Sequence, residues 1–430
     1  MFCTFIPSLK DNKISSRRLI MKLSGDTSLY PFVRVSLFAF LITGLLGAFL
    51  RMQFYSPTPG INYRFFVHAH SHLAFLGWAF NAIFILVTRY FFKDVRKSFN
   101  VIFILFQVCV LGMLISFPLQ GYGAVSIFFS TAHIVLSYIF IVKGINALKG
   151  VLSRAKIFLI LAFIYLALSS LGPFFLGICM AKGLSDTIWY KLSIYFYLHF
   201  QYNGWFMMAI IAIVIRYLEE RGYILSDLSR RVVLYSVGIM VAPAFILSML
   251  WLEPDQIYYW ISVCIHLIQF TGIVYFLFHI YKALKSEINA KLFLITFTTA
   301  MLSFMSKGIL EVFGSLPGLS SMVFNNQNLV IAYLHLTFIG FVSMALLSFY
   351  MKEGYIGQSS MGYAGILILL TGFVLSEGLL ILPVLNTFLG FGAVPNYYFL
   401  VFLSSSLVPL AIPCFFVKGK INFFNMTKKR

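Results

Sequence analysis

Three histidines carry the same short signature. His72 is followed by Gly77-Trp78, His199 by Gly204-Trp205 and His335 by Gly340-Phe341, each a His-x4-Gly-(Trp/Phe) inside an apolar segment. At this chain's glycine, tryptophan and phenylalanine frequencies, about one histidine in a hundred would carry the pattern by chance, so three of eight signal an internal repeat. The copies stand 127 and 136 residues apart, which implies three similar arcs. Imidazole is the side chain that binds haem iron or copper while staying neutral, an advantage wherever a buried charge is costly. For one isolated intramembrane histidine a hydrogen-bonded packing role is the commoner reading. The repeat and a shared depth favour ligation for the trio. Glycine at the fifth position points away from the histidine's own face and reads as a close helix contact.

The elements that position these histidines are membrane helices. With 60% hydrophobic and 10% charged residues and a mean hydropathy of +0.92, a soluble globule of 430 residues is excluded. Spanning the hydrocarbon takes about 20 apolar residues. Twelve stretches qualify: 31–50, 65–92, 99–118, 122–146, 155–180, 187–217, 231–251, 257–282, 291–314, 327–351, 361–385 and 395–417. The long continuous runs argue for helices 1 to 12 and against a barrel. The expected fold is all-α and polytopic, with a tail over 1–30, one transmembrane domain over 31–417 and a basic tail over 418–430.

Lysines and arginines cluster in the N-terminal tail, after helices 2, 4, 6 and 8, and in the C-terminal tail, all on one side. The positive-inside rule makes that side cytoplasmic, with both termini inside a cell membrane. The net charge of +19 is then a topology and anionic-lipid signal, and nucleic acid is not an expected partner. Residues 1–24 are too polar for a signal peptide. The five cysteines show no CxxC spacing and read as packing residues.

Other matches extend the repeat. Ala155-Lys156-Ile157-Phe158-Leu159-Ile160 recurs as Ala290-Lys291-Leu292-Phe293-Leu294-Ile295, and Ala147-Leu148-Lys149 as Ala283-Leu284-Lys285. Helices 3–6 and 7–10 are thus successive four-helix units, and helices 11, 12, 1 and 2 close the third arc. Helix 2 also holds His68, His70 and His72; His68 and His72 share a face and His70 points the other way, so at most two serve one site.

Twelve helices, three arcs and histidines on helices 2, 6 and 10 resemble subunit I of the haem-copper oxidase superfamily, above all its C-type oxidase and nitric oxide reductase branches. The helix 10 segment from His335 through Gly340-Phe341 resembles the family's stretch after the low-spin haem ligand, and the resemblance implies that His335 binds haem b. Helix 2 supplies the other axial ligand. His70, with Asn81 eleven residues on, matches the C-type pattern, while the internal repeat points to His72; the choice stays open here. His199 matches the family's copper or non-haem iron ligand. Asn203 stands where the reductases have a glutamate, helix 7 lacks the histidine pair, and Tyr333 replaces the first histidine of helix 10. The usual dioxygen-reducing centre is not expected. A second resemblance, to the NnrS family of haem- and copper-containing membrane proteins, rests on His68-Ala69-His70 and on His335–Met344.

His133 and His266 are alternative ligands for a second metal, copper or non-haem iron, although packing is the commoner role. Lys307 and Glu311, four apart, read as a mutually neutralising pair. Glu377 has no evident sequence partner and reads either as a neutral carboxyl or as a proton carrier. Arg64 is a candidate partner for haem propionates or an interfacial anchor. The first reading is a haem b protein for electron transfer or nitric oxide and dioxygen handling, a membrane oxidoreductase fed by quinol or by a partner cytochrome. A haem-bearing gas sensor or assembly protein, a transporter and a purely structural subunit are the alternatives. No Cys-x-x-Cys-His haem attachment motif occurs.

Overall fold

The computed structural model describes residues 27–92, 95–284, 290–390, 392 and 394–417. The expected tails therefore lie outside the described residues apart from a short piece before the first helix, as do Lys93 and Lys285. Twelve helices are long and apolar enough to cross a bilayer: α1 Tyr30–Tyr55, α2 Tyr63–Phe91, α3 Lys97–Gln120, α4 Ala124–Ala147, α5 Lys156–Ala181, α6 Ile188–Glu219, α7 Asp227–Leu252, α8 Gln256–Leu284, α9 Lys291–Gly314, α10 Gln327–Lys352, α11 Ser360–Thr387 and α12 Tyr397–Phe416. No strand occurs among the described residues. The protein is an all-α, multi-pass membrane protein. Helices suit this solvent because each satisfies its own backbone groups where no water can.

Successive helices pack against each other and α12 returns to pack on α1, so the bundle closes. α2 and α6 lie innermost, with 83% and 94% of their most apolar stretch buried inside the protein against 28% for α4 and α7. The basic-end half of α10 joins them, with every residue from Gly340 to Met351 buried. Phe75 of α2, Phe206 of α6 and Phe338 of α10 meet on the central axis, with ring centroids 4.3 to 6.2 Å apart in this group and its neighbours. At the basic end Glu353 ties α10 to α2, accepting from Arg89 at 2.7 Å and from the Tyr90 hydroxyl at 2.6 Å. Glu219 at the end of α6 accepts from Ser153 at 2.6 Å and from the Arg154 backbone N–H at 2.7 Å.

Each histidine signature falls on the same backbone irregularity. Immediately after His72, His199 and His335 the helix widens into π-helical turns, Leu73–Ala79, Phe200–Phe206 and Leu336–Ser343. The amides of Phe80, Met207 and Met344 reach back five residues, to the carbonyls of Phe75, Tyr202 and Ile339. Such wide turns are rare and concentrate at functional sites. A fourth, Leu234–Ile239 in α7, carries no histidine signature. In α2 the Asn81 side chain donates to the Gly77 carbonyl at 2.7 Å, so the wide turn leaves that acceptor satisfied.

The motif glycines are helix contacts, as their position suggests. A Cβ on Gly204 would stand 2.5 Å from Cβ of Tyr165 on α5, and one on Gly340 would stand 2.6 Å from Oγ of Ser303 on α9. One on Gly77 would meet Val110 of α3 and Ala39 of α1 at 3.2 and 3.3 Å. Between helices in lipid such close backbone approach supplies the packing that water-driven burial cannot. Gly204→Val is therefore expected to overpack α5 against α6 and to destabilise by about 1–3 kcal/mol. Gly177→Ala, whose Cβ meets nothing within 4 Å, serves as the neutral control in the same thermal denaturation.

Candidate functional site

His70 projects from α2 toward α1. Its Nδ1 donates to the Thr43 carbonyl at 3.0 Å, and since a carbonyl only accepts, the proton must sit on Nδ1 and Nε2 is a bare acceptor. Gly47 makes room for the ring; a Cβ there would lie 3.0 Å from Cε1 of His70. His335 projects from α10 toward α11, where its Nδ1 lies 3.1 Å from the Glu377 carboxylate. With the carboxylate accepting, Nε2 is again bare. His70 and His335 lie within electrostatic reach of each other, whereas His72 lines a separate cavity on the other side of α2. A carboxylate or carbonyl holding the distal N–H is the arrangement that orients a ligating histidine.

One turn from His335, at Ile331, begins a cavity of about 450 Å³ bounded by α1, α2, α10, α11 and α12. That size falls within the roughly 300–1,000 Å³ of cofactor sites. Arg51 lines it together with Tyr63 and Tyr397, and Arg51 is near Glu377 without forming a hydrogen bond or ion pair of its own. Asn386, also in the lining, has a buried Oδ1 with no partner. Two bare imidazole nitrogens and a guanidinium with no hydrogen bond or ion pair among the described residues are groups a haem with its propionates fits. Arg64 is exposed; Arg51 is the arginine at the cavity.

His72 faces the other way. Its Nδ1 donates to the His68 carbonyl of its own helix at 2.9 Å, and its ring packs on Phe117 at 4.3 Å. Across a second, smaller cavity stands His133 of α4, buried between the rings of Phe80 and Phe106.

His199 occupies the third cleft, between α6 and α10. Nε2 donates to the Val241 carbonyl at 2.8 Å and Nδ1 accepts from Asn203 at 3.2 Å, so both nitrogens are committed. A metal at His199 would have to displace one of these bonds. His266 of α8 is held by the Ser262 carbonyl at 2.8 Å and lies 3.2 Å from the Ser315 hydroxyl. Among the described residues no three His, Cys, Asp or Glu side chains group so as to hold a metal ion. The cleft is filled by a polar network instead. Lys307 donates to Glu311 at 2.6 Å, and the Tyr333 hydroxyl donates to the same carboxylate oxygen at 2.7 Å. Tyr333 thus completes a buried ion pair. The i, i+4 spacing revealed the Lys307–Glu311 pair, whereas the Glu377–His335 link joins helices and left no local sequence signal.

No known family model matches the chain, and no curated protein is significantly similar to it. The ligand assignment rests on the residues and their geometry.

Glu311→Ala should leave the Lys307 ammonium, 3% exposed, without its counter-charge and cost about 3–5 kcal/mol in a denaturation series. Lys307→Met combined with Glu311→Leu removes both charges and should recover most of that loss. A stable Glu311→Ala protein would show that the pair is not a structural element.

Proposed function

We propose that the chain is a haem b-binding integral protein of the cell membrane, with both termini cytoplasmic and His70 and His335 as the axial pair. The observation carrying this is that two imidazoles from different helices, within electrostatic reach of each other, each have Nδ1 held by a neighbouring helix and Nε2 bare, with a cofactor-sized cavity beginning one turn from His335. Haem bound there supplies reversible one-electron chemistry. The chain's own residues would do the rest. Thr43 and Glu377 would fix the tautomers and ring orientations, and Arg51 and Tyr63 would offer donors to propionates.

The committed state of both His199 nitrogens favours electron transfer, or binding of nitric oxide or dioxygen, over reduction at a standard binuclear centre. Electrons would come from quinol or from a partner cytochrome. A haem-bearing sensor or assembly protein is the second reading, favoured by the same observation and distinguished by the lack of turnover with nitric oxide, oxygen and a reductant.

The test is a reduced-minus-oxidised spectrum of purified protein. Wild type should show a b-type signal, His335→Ala and His70→Ala should lose it, and His72→Ala should keep it. Glu377→Gln should retain haem but bind it about 10–100-fold more weakly. Haem-free wild-type protein from cells supplied with haem precursors would overturn the reading, and loss in His72→Ala with retention in His70→Ala would reassign the ligand.

A further inference from the structure

The smaller cavity, about 150 Å³, lies between α2, α4, α5 and α6, on the opposite face of α2 from His70. Its inner wall carries polar groups that the protein leaves unmet. With Nδ1 of His72 tied to the His68 carbonyl, Nε2 is a bare acceptor. Nε2 of His133, a residue only 2% exposed, is buried with no partner. The hydroxyls of Tyr122 and Tyr197, also in the lining, make no hydrogen bond. Gln201 accepts from Ser169 through its carbonyl at 2.9 Å, which leaves its amide as a donor. Buried polar atoms are almost always satisfied, so the orphaned His133 Nε2 calls for a partner, and the other four groups line the cavity as further unmatched polar surface for an occupant.

The outer wall says where an occupant enters. α4 and α5 are joined by the Tyr138–Ser170 hydrogen bond at 2.5 Å and by Phe140 against Phe163 at 5.3 Å, both on the basic-end side of the cavity. Beyond that point α5 breaks at Ser170, ahead of Pro173, and the lining residues Thr131, Phe174 and Gly177 are exposed on the lipid-facing surface. No Asp, Glu, Lys or Arg lines the cavity. A metal cation there would keep its charge uncompensated inside the membrane, so the ligand is neutral. A 150 Å³ space holds a six-carbon ring.

We propose that this cavity binds a quinol, a lipid-soluble ring with free hydroxyls, which enters from the bilayer between α4 and α5. One hydroxyl donates to the bare Nε2 of His72 and the other pairs with the unpartnered Nε2 of His133, the phenols of Tyr122 and Tyr197 complete the contacts, and the apolar tail stays among lipid. The site rests on its own cavity and not on the haem reading.

Equilibrium dialysis of the full chain in lipid nanodiscs tests this, using a short-chain benzoquinol kept reduced under nitrogen and its dimethyl ether. Saturable quinol binding is expected, at least tenfold tighter than the ether. Gly177→Trp blocks the mouth at a position where an added Cβ meets nothing within 4 Å, and His133→Phe removes one hydrogen-bonding partner. Each should weaken binding at least tenfold, with the thermal midpoint and any haem spectrum unchanged. Should His133→Phe fail to fold, Gly177→Trp decides alone. Absence of quinol binding by wild type, equal binding of the ether, or wild-type affinity in Gly177→Trp would overturn the proposal.

Discussion

A buried neutral imidazole has one N–H to satisfy, and in a bilayer no water will do it. That constraint orders the interior of this protein. His72 and His266 each donate to the carbonyl four residues back in their own helix, at 2.9 and 2.8 Å. His70, His199 and His335 instead reach across to Thr43, Val241 and Glu377 on neighbouring helices. The first choice leaves ring orientation to one helix, while the second couples it to the packing of two. Where the remaining nitrogen is bare, as in His70 and His335, the residue can ligate. Where it is already engaged, as in His199, it serves packing.

The threefold plan explains why these outcomes differ. α2, α6 and α10 are central and each widens into a π turn just past its signature histidine, yet they face three unlike clefts. One holds the larger cavity with Arg51, one the smaller cavity with unmet hydroxyls and imidazoles, and one a filled network around Glu311. A repeat in backbone and glycine contacts thus coexists with divergence in chemistry, because glycine packing depends on the backbone of the adjacent helix while side-chain chemistry depends on everything lining the cleft. With polar desolvation so costly in lipid, each cleft is either paired internally or left open to a ligand.

Sequence alone determined the helix count, the boundaries to within a few residues, the repeat and the helix-contact role of its glycines. These are legible because hydropathy and spacing are local, and spanning a fixed hydrocarbon thickness leaves little freedom in helix length. The Lys307–Glu311 pair was legible for the same reason, both residues sharing one helical face. Only the tertiary structure brought His70 within electrostatic reach of His335, because the repeat aligns His72 while the rotation of α2 sets that residue on the cavity it shares with His133. It also gave Glu377 its partner, placed Arg51 rather than Arg64 at the cavity, and set Tyr333 on Glu311. Each of those facts joins residues from different helices, and the phase of one helix against another is fixed by side-chain packing across the bundle, which no single segment encodes.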